Sequence, residues 1–241
     1  MLLFFRKDGV NYLIFDMKII DFHAHILPKA DHGSDSVETS LAQIELSKSA
    51  GIDVIVATPH FYPHKHSLEK FLERRNSAFD VLMQNTDANI LCGAEILLCD
   101  YFENLDGIDR LCIDGTKTLL IELPFSHYKD SYTNSVEKLI DRGYDVIIAH
   151  ADRYAKENIY KLIDVGAKIQ LNVSSLSGLF VKKHIKAWLD LEDAVAIGSD
   201  IHMLNRESYK KFNKAKVKLK DKLNFIMEES AKYAGISDFI K

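Results

Sequence analysis

The sequence predicts a parallel α/β fold, best fitted by a closed or distorted barrel, with an open doubly wound sheet as the alternative. Three observations carry this. Seven short β-type runs, at 18–25, 53–60, 89–97, 118–125, 145–150, 168–173 and 195–202, recur along the chain. Several are almost continuously apolar, as strands covered on both faces should be. Amphipathic stretches separate them, and strand–helix alternation of this kind builds parallel sheets. The length of 241 residues, with 47% hydrophobic and 27% charged residues, suits a single large domain with an ample core.

Residues 1–16 precede this pattern and form an N-terminal extension. Asp8-Gly9 lies between two apolar stretches, a spacing that predicts a small hairpin. Met17 is a plausible alternative start, and residues 17–241 make up the expected domain. The first helix is expected over 40–50, with Asp35-x-x-Glu38 as a capping box and Gly51 closing it. Further helices are expected over 67–84, 131–142 and 158–165. From about Glu207 the chain is lysine-rich and helical in pattern, with the lysines on a solvated face.

The polar residues fall at repeated places on this scheme. The first run holds Asp21-Phe22-His23-Ala24-His25, and a period of two puts His23 and His25 on one side. The second ends in Thr58-Pro59-His60, the third holds Gly93-Ala94-Glu95 and the fourth carries Glu122. The fifth ends in His150-Ala151-Asp152-Arg153, and the seventh holds Ser199-Asp200-Ile201-His202. A histidine at one strand end is ordinarily a hydrogen-bonded structural residue. Six runs that each deliver His, Glu or Asp near their C-terminal ends are hard to explain as packing. In a parallel barrel those ends converge on the face where active sites are built. Imidazole and carboxylate donors without thiolate suit manganese, iron, zinc or cobalt rather than a closed cysteine site. The candidate ligands are too many for one ion, so two or three divalent metals are expected, with Glu95 or Glu122 bridging. Such a centre supports hydrolytic displacement at phosphorus.

The ordered motifs DFHAHILPKADHG, ATPH, GAEI, LIELP, HADR and SDIH span residues 21–206. In these the chain resembles the PHP (polymerase and histidinol phosphatase) superfamily, and within it the bacterial capsule-type manganese-dependent protein-tyrosine phosphatases. The resemblance implies a distorted seven-stranded (β/α) barrel in a single domain and a trinuclear metal site, manganese first. It implies that His23, His25, Glu95 and Asp200 hold one metal, Glu95, Glu122 and His150 a second, and His32, His60 and His202 a third. His32 departs from the aspartate usual at this place, with neighbouring Asp31 as the fallback ligand. HADR departs from a His-Pro-Glu-Arg form but keeps its arginine. Arg153 and Arg206 would hold the substrate phosphate, which a guanidinium fork fits. His202 or Asp200 would relay a proton to the leaving oxygen. The implied partner is a phosphotyrosine protein, the tail of a tyrosine autokinase of capsular or exopolysaccharide synthesis. Phe61 and Tyr62 are candidates to pack against the phosphotyrosine ring. His64, His66 and His127 lie on loops near the expected mouth, and His184 is read as a surface residue.

Other chemistries fit less well. The C-x5-R spacing of cysteine phosphatases fails at Cys92, Cys99 and Cys112, and neither D-x-D nor a Walker A loop occurs. Competing readings are a small-metabolite phosphatase such as a histidinol phosphatase, a TatD-like metal-dependent nuclease and a non-catalytic PHP binding module. The formal charge of -4 gives no basic footprint, so no nucleic acid partner is expected. No apolar run reaches spanning length and the cysteines are few and unpaired in spacing, so a cytoplasmic protein without membrane insertion is expected. A homo-oligomer is compatible with the sequence but not required by it.

Overall fold

The computed structural model describes residues 3–7, 10–14, 17–125 and 127–236. Two short strands, β1 (Leu3–Lys7) and β2 (Val10–Ile14), pair antiparallel. The expected hairpin turn at Asp8-Gly9 lies outside the described residues.

The remaining strands pair only in parallel, in two sheets. They are β3 (Ile20–Ala24), β4 (Val54–Ala57), β5 (His60–Phe61), β6 (Ile90–Cys92), β7 (Glu95–Leu97), β8 (Thr118–Glu122), β9 (Asp145–Ile148), β10 (Lys168–Asn172) and β11 (Ala194–Gly198). One sheet runs β3-β4-β6 and the other β11-β10-β9-β8-β7-β5. Two of the seven predicted runs are therefore each divided. The 53–60 run breaks at Thr58-Pro59, because proline has no N–H for the ladder. The 89–97 run breaks at Gly93-Ala94, where the chain passes against Ile113: a Cβ on Gly93 would lie 3.1 Å from the Ile113 side chain. Each divided run begins in the small sheet and ends in the large one. Beyond these strands the sheets meet where Ala24 bridges Ile201, with the His25 N–H donating to the Ile201 carbonyl at 3.1 Å.

Helices form at each expected stretch and at others besides. They are α1 (Val37–Ser49), α2 (Leu68–Met83), α3 (Asp130–Asp141), α4 (Lys156–Asp164), α5 (Val173–Leu176), α6 (Lys183–Asp190), α7 (Arg206–Leu219) and α8 (Lys222–Tyr233). In α2, Leu68, Phe71, Leu72, Ala78 and Leu82 bury one stripe. The cap of α1 sits one residue later than expected. Ser36, not Asp35, accepts the Thr39 N–H at 3.2 Å, while Asp35 accepts the Thr39 hydroxyl. Gly51 ends this helix in the left-handed region at φ 70°, as expected. His184 differs from its expected surface place: it is half-buried on α6, edge-on to the fully buried Trp188. No described helix is long and apolar enough to cross a membrane.

Two glycines let neighbouring chain press on β3 and its extension. A Cβ on Gly198 of β11 would fall 2.5 Å from the His23 Cβ. One on Gly33, in the loop after β3, would fall 2.2 Å from the His25 Cβ. Gly198→Ala should therefore force a rigid strand off His23, a clash worth about 1–3 kcal/mol and several degrees of Tm. Gly178→Ala, whose Cβ meets nothing nearer than 3.7 Å, is the control. Thermal unfolding should separate the two variants; equal melting temperatures would show that the close approach carries no strain.

Candidate metal centre

The ends of the parallel strands, and the breaks that divide two of the runs, bring the predicted residues together. His23 and His25 come from β3 and its extension, and both are fully buried. Their Nε2 atoms lie 3.1 Å apart. Glu95, which opens β7, is fully buried between them and two further imidazoles. Its Oε2 is 3.3 Å from both the His23 and the His25 Nε2 and 2.8 Å from the His60 Nδ1. Its Oε1 is 2.7 Å from the His150 Nε2. Glu122, ending β8, lies 3.7 Å from His150 and 3.8 Å from His60. The Asp200 Oδ1 approaches the Nε2 atoms of His23 and His25 at 3.7 and 3.5 Å. The His202 Nε2 is 3.4 Å from the His60 Nε2.

Two of these residues hold unusual backbones. His150 at φ 33° and Asp200 at φ 50° both lie in the left-handed region just beyond their strands. Neither is glycine, and such strain is characteristic of functional positions.

Three sets of donors converge within 4.8 Å of one another: His23 with His25 and Glu95, His60 with Glu95 and Glu122, and His25 with His60 and His202. The His60 Nδ1 and the Glu95 Oε2 are buried, lie in contact and yet form no aligned hydrogen bond, which leaves both without a partner. Buried lone pairs facing each other in this way are costly without a cation between them. The donor set therefore fits divalent metals.

His32 is exposed, but its ring stacks 4.8 Å from His60 and 4.6 Å from His202. Its loop is held there by the Met203 N–H, which donates to the Gly33 carbonyl, and by Gln43, which donates to the Met203 carbonyl at 2.8 Å. Asp31 is engaged elsewhere. Its Oδ2 meets the His25 Nδ1 at 2.7 Å and accepts the His60 backbone N–H at 2.9 Å, and its Oδ1 accepts the Gly33 N–H. Asp31 thus holds a proton on the His25 Nδ1 and leaves Nε2 as the donor. This use of both oxygens counts against the fallback ligand role.

The charges are interdependent. Burial alone would push Glu95 up, but the charge of His23, the hydrogen bond from His150 and the close approach of the His23 and His25 rings hold it well below the usual carboxylate range. Burial, then the charge of Glu95, pushes Glu122 up to about 7. Burial would lower His25, yet bonds to Asp200, Asp31 and Glu95 raise it well above an ordinary histidine. Burial and the neighbouring His25 push His202 down to about 4.

A second ring of residues orients the first, and sequence reasoning missed most of it. The Gln170 Oε1 on β10 faces the His23 Nδ1 at 3.2 Å and accepts the His150 backbone N–H at 2.7 Å. The Gln170 Nε2 donates to Asn172, and Asn172 donates to the Asp200 Oδ2 at 3.0 Å. The run 168–173 is the one predicted strand that carries no candidate ligand. Its signal was two amides spaced by two residues, on one face of an otherwise apolar strand. The Tyr154 hydroxyl meets the His150 Nδ1 at 3.1 Å.

The arginines differ in placement. The Arg153 guanidinium pairs with the Asp200 Oδ2 and is partly exposed at the rim of the cluster. Arg206 opens α7 on the surface and makes no ion pair among the described residues. Phe61 is buried against Phe71, so it is core and not available to a substrate ring. Tyr62 stacks on His60 at 5.1 Å, and His64 and His127 are exposed on loops.

Known proteins resemble the chain in sequence and in fold. The sequence profile of the family described as capsular polysaccharide synthesis, CpsB/CapC, matches residues 19–230. The tyrosine-protein phosphatase YwqE of Bacillus subtilis is 30% identical over 206 residues, 79% of this chain and 80% of its own. The tyrosine-protein phosphatase CpsB of Streptococcus agalactiae is 28% identical over 207 residues, 78% of this chain and 84% of its own. A crystal structure from work on YwqE of Bacillus subtilis and CpsB of Streptococcus pneumoniae, described as unique metal-dependent tyrosine phosphatases, superposes with a TM-score of 0.75 at 25% identity. It covers 90% of this chain and 94% of its own. With its Glu95-centred cluster and a match over residues 19–230, the chain belongs to the CpsB/CapC family of capsular polysaccharide synthesis.

Proposed function

We propose that the protein is a metal-dependent protein-tyrosine phosphatase that hydrolyses phosphotyrosine on a tyrosine autokinase of capsular or exopolysaccharide synthesis. The observation that carries this is the buried His and carboxylate cluster around Glu95, with Arg153 at its rim, in a member of the CpsB/CapC family. The seven runs act as one distorted barrel in a domain over 17–241. The Ala24–Ile201 bridge between the sheets supports the barrel, and the family match beginning at residue 19 supports the boundary. The protein works in the cytoplasm.

Two or three divalent ions, manganese first, would be held by His23, His25, Glu95 and Asp200, by Glu95, Glu122 and His150, and by His32, His60 and His202. Shared membership of Glu95, His25 and His60 among the convergent donor sets supports more than one ion. When bound, such ions supply neutralisation of the phosphoryl charge and acidify water near neutral pH.

The chain's own groups do the rest. Arg153 binds phosphoryl oxygens through the N–H groups that its pairing with Asp200 leaves free, and Arg206 joins it from the start of α7. Asp200 serves four neighbours at once, turning Oδ1 to His23 and His25 and Oδ2 to Arg153 and Asn172. His202 and Asp200 carry the proton to the leaving oxygen. A phenolate needs little such help.

A panel of phosphotyrosine peptide, phosphoserine peptide, histidinol phosphate and single-stranded DNA tests the reading on metal-supplemented protein. Phosphotyrosine should be hydrolysed fastest; turnover confined to histidinol phosphate or DNA would overturn it. Chelation should abolish turnover while circular dichroism stays native, and added manganese should restore it. Arg153→Ala should lower kcat/KM for phosphomonoesters by roughly 10²- to 10³-fold, as loss of one charge-stabilising donor does. Gln170→Leu should weaken metal affinity by about 10–100-fold in a competition titration, through loss of the orienting bond to His23. Unchanged affinity would show that β10 only packs.

A further inference from the structure

Two aromatic side chains lie near imidazoles of the cluster. Phe125, three residues beyond Glu122, is 71% exposed, a high value for a phenylalanine next to a buried polar site. Its ring lies 6.4 Å from the His150 ring at an interplanar angle of 13°, and 5.8 Å from Tyr154. Tyr62 lies 5.1 Å from the His60 ring at 19°. His60 and His150 are the two imidazoles that touch opposite oxygens of Glu95, at 2.8 and 2.7 Å. Each aromatic ring therefore covers an imidazole whose ring nitrogen reaches the same carboxylate.

We infer that Phe125 and Tyr62 are the walls that receive the aromatic ring of an aryl phosphomonoester and so set the preference for phosphotyrosine over phosphoserine. This rests on the phosphatase reading above. A phosphotyrosine carries its phosphoryl group a full ring away from the peptide backbone. Its flat faces gain contact area and favourable ring geometry between two aromatic walls. A phosphoserine has only one carbon between its ester oxygen and Cα. To reach the same floor, its backbone must enter between the rings, where amide groups find no partners and lose water. Phe61, the sequence neighbour of Tyr62, faces the core and takes no part.

The test compares kcat/KM on matched phosphotyrosine and phosphoserine peptides for metal-loaded wild-type protein, Phe125→Ala, Phe125→Tyr, Tyr62→Ala and Tyr62→Phe. Each alanine variant should reduce the aryl-to-alkyl ratio by roughly tenfold, mainly through KM for the aryl peptide. Phe125→Tyr and Tyr62→Phe, which keep a ring, should restore the ratio. If both substrates fall in parallel and the ratio does not move, the walls are only structural cover and the inference fails while the phosphatase reading stands. If wild-type protein hydrolyses neither peptide, that reading fails and takes the inference with it.

Discussion

The constraint on which the structure depends is a fully buried carboxylate, Glu95, surrounded by imidazoles. Removing an ion of this kind from water costs several kcal/mol unless opposite charge and hydrogen bonds compensate. Here the compensation comes from four histidines delivered by three strands: His23 in β3 and His25 just beyond it, His60 on β5 and His150 after β9. The fold is arranged so that those ends meet. Glycines at 33 and 198 let chain cross directly over His25 and His23, and left-handed backbones at His150 and Asp200 turn two more donors inward. The raised affinity of His23 and His25 for a proton reflects this compensation.

Around this floor the protein places three kinds of group in order of distance. Asp31, Gln170, Asn172 and Tyr154 touch the non-ligating edges of the histidines and of Asp200, and so fix which nitrogen faces inward. Arg153 stands at the rim, tied to Asp200. Phe125 and Tyr62 form the outer boundary. The formal charge of -4 thus misleads about the site. Divalent ions held there would make that face locally cationic and draw an anionic phosphomonoester to it.

Much of this was legible in the sequence, for a physical reason. Parallel strands buried on both faces must be apolar, so a His or Glu within or just beyond one stands out, and the period of two assigns its side. His23, His25, Glu95, Glu122 and Asp200 could be read in that way. The breaks at Pro59 and Gly93 were less visible, because an apolar run does not record when it changes sheets. Gln170 and Asn172 were missed because an amide in a strand signals nothing by itself; its role depends on which residues the neighbouring strands place beside it. Phe61 and Tyr62 show the same limit. Adjacent residues in a short strand face opposite ways, and only the register of β5 against β7 decides that His60 faces Glu95 and that Phe61 turns to the core. The shift of the α1 cap from Asp35 to Ser36 is a contest between two good capping residues, which local sequence does not resolve.

The most direct measurement of the central claim is anomalous diffraction at the manganese edge from crystals of manganese-loaded protein. The account predicts at least two anomalous peaks, both within ligand distance of the Glu95 carboxylate and with the carboxylate between them. A single peak, or peaks remote from Glu95, would contradict it.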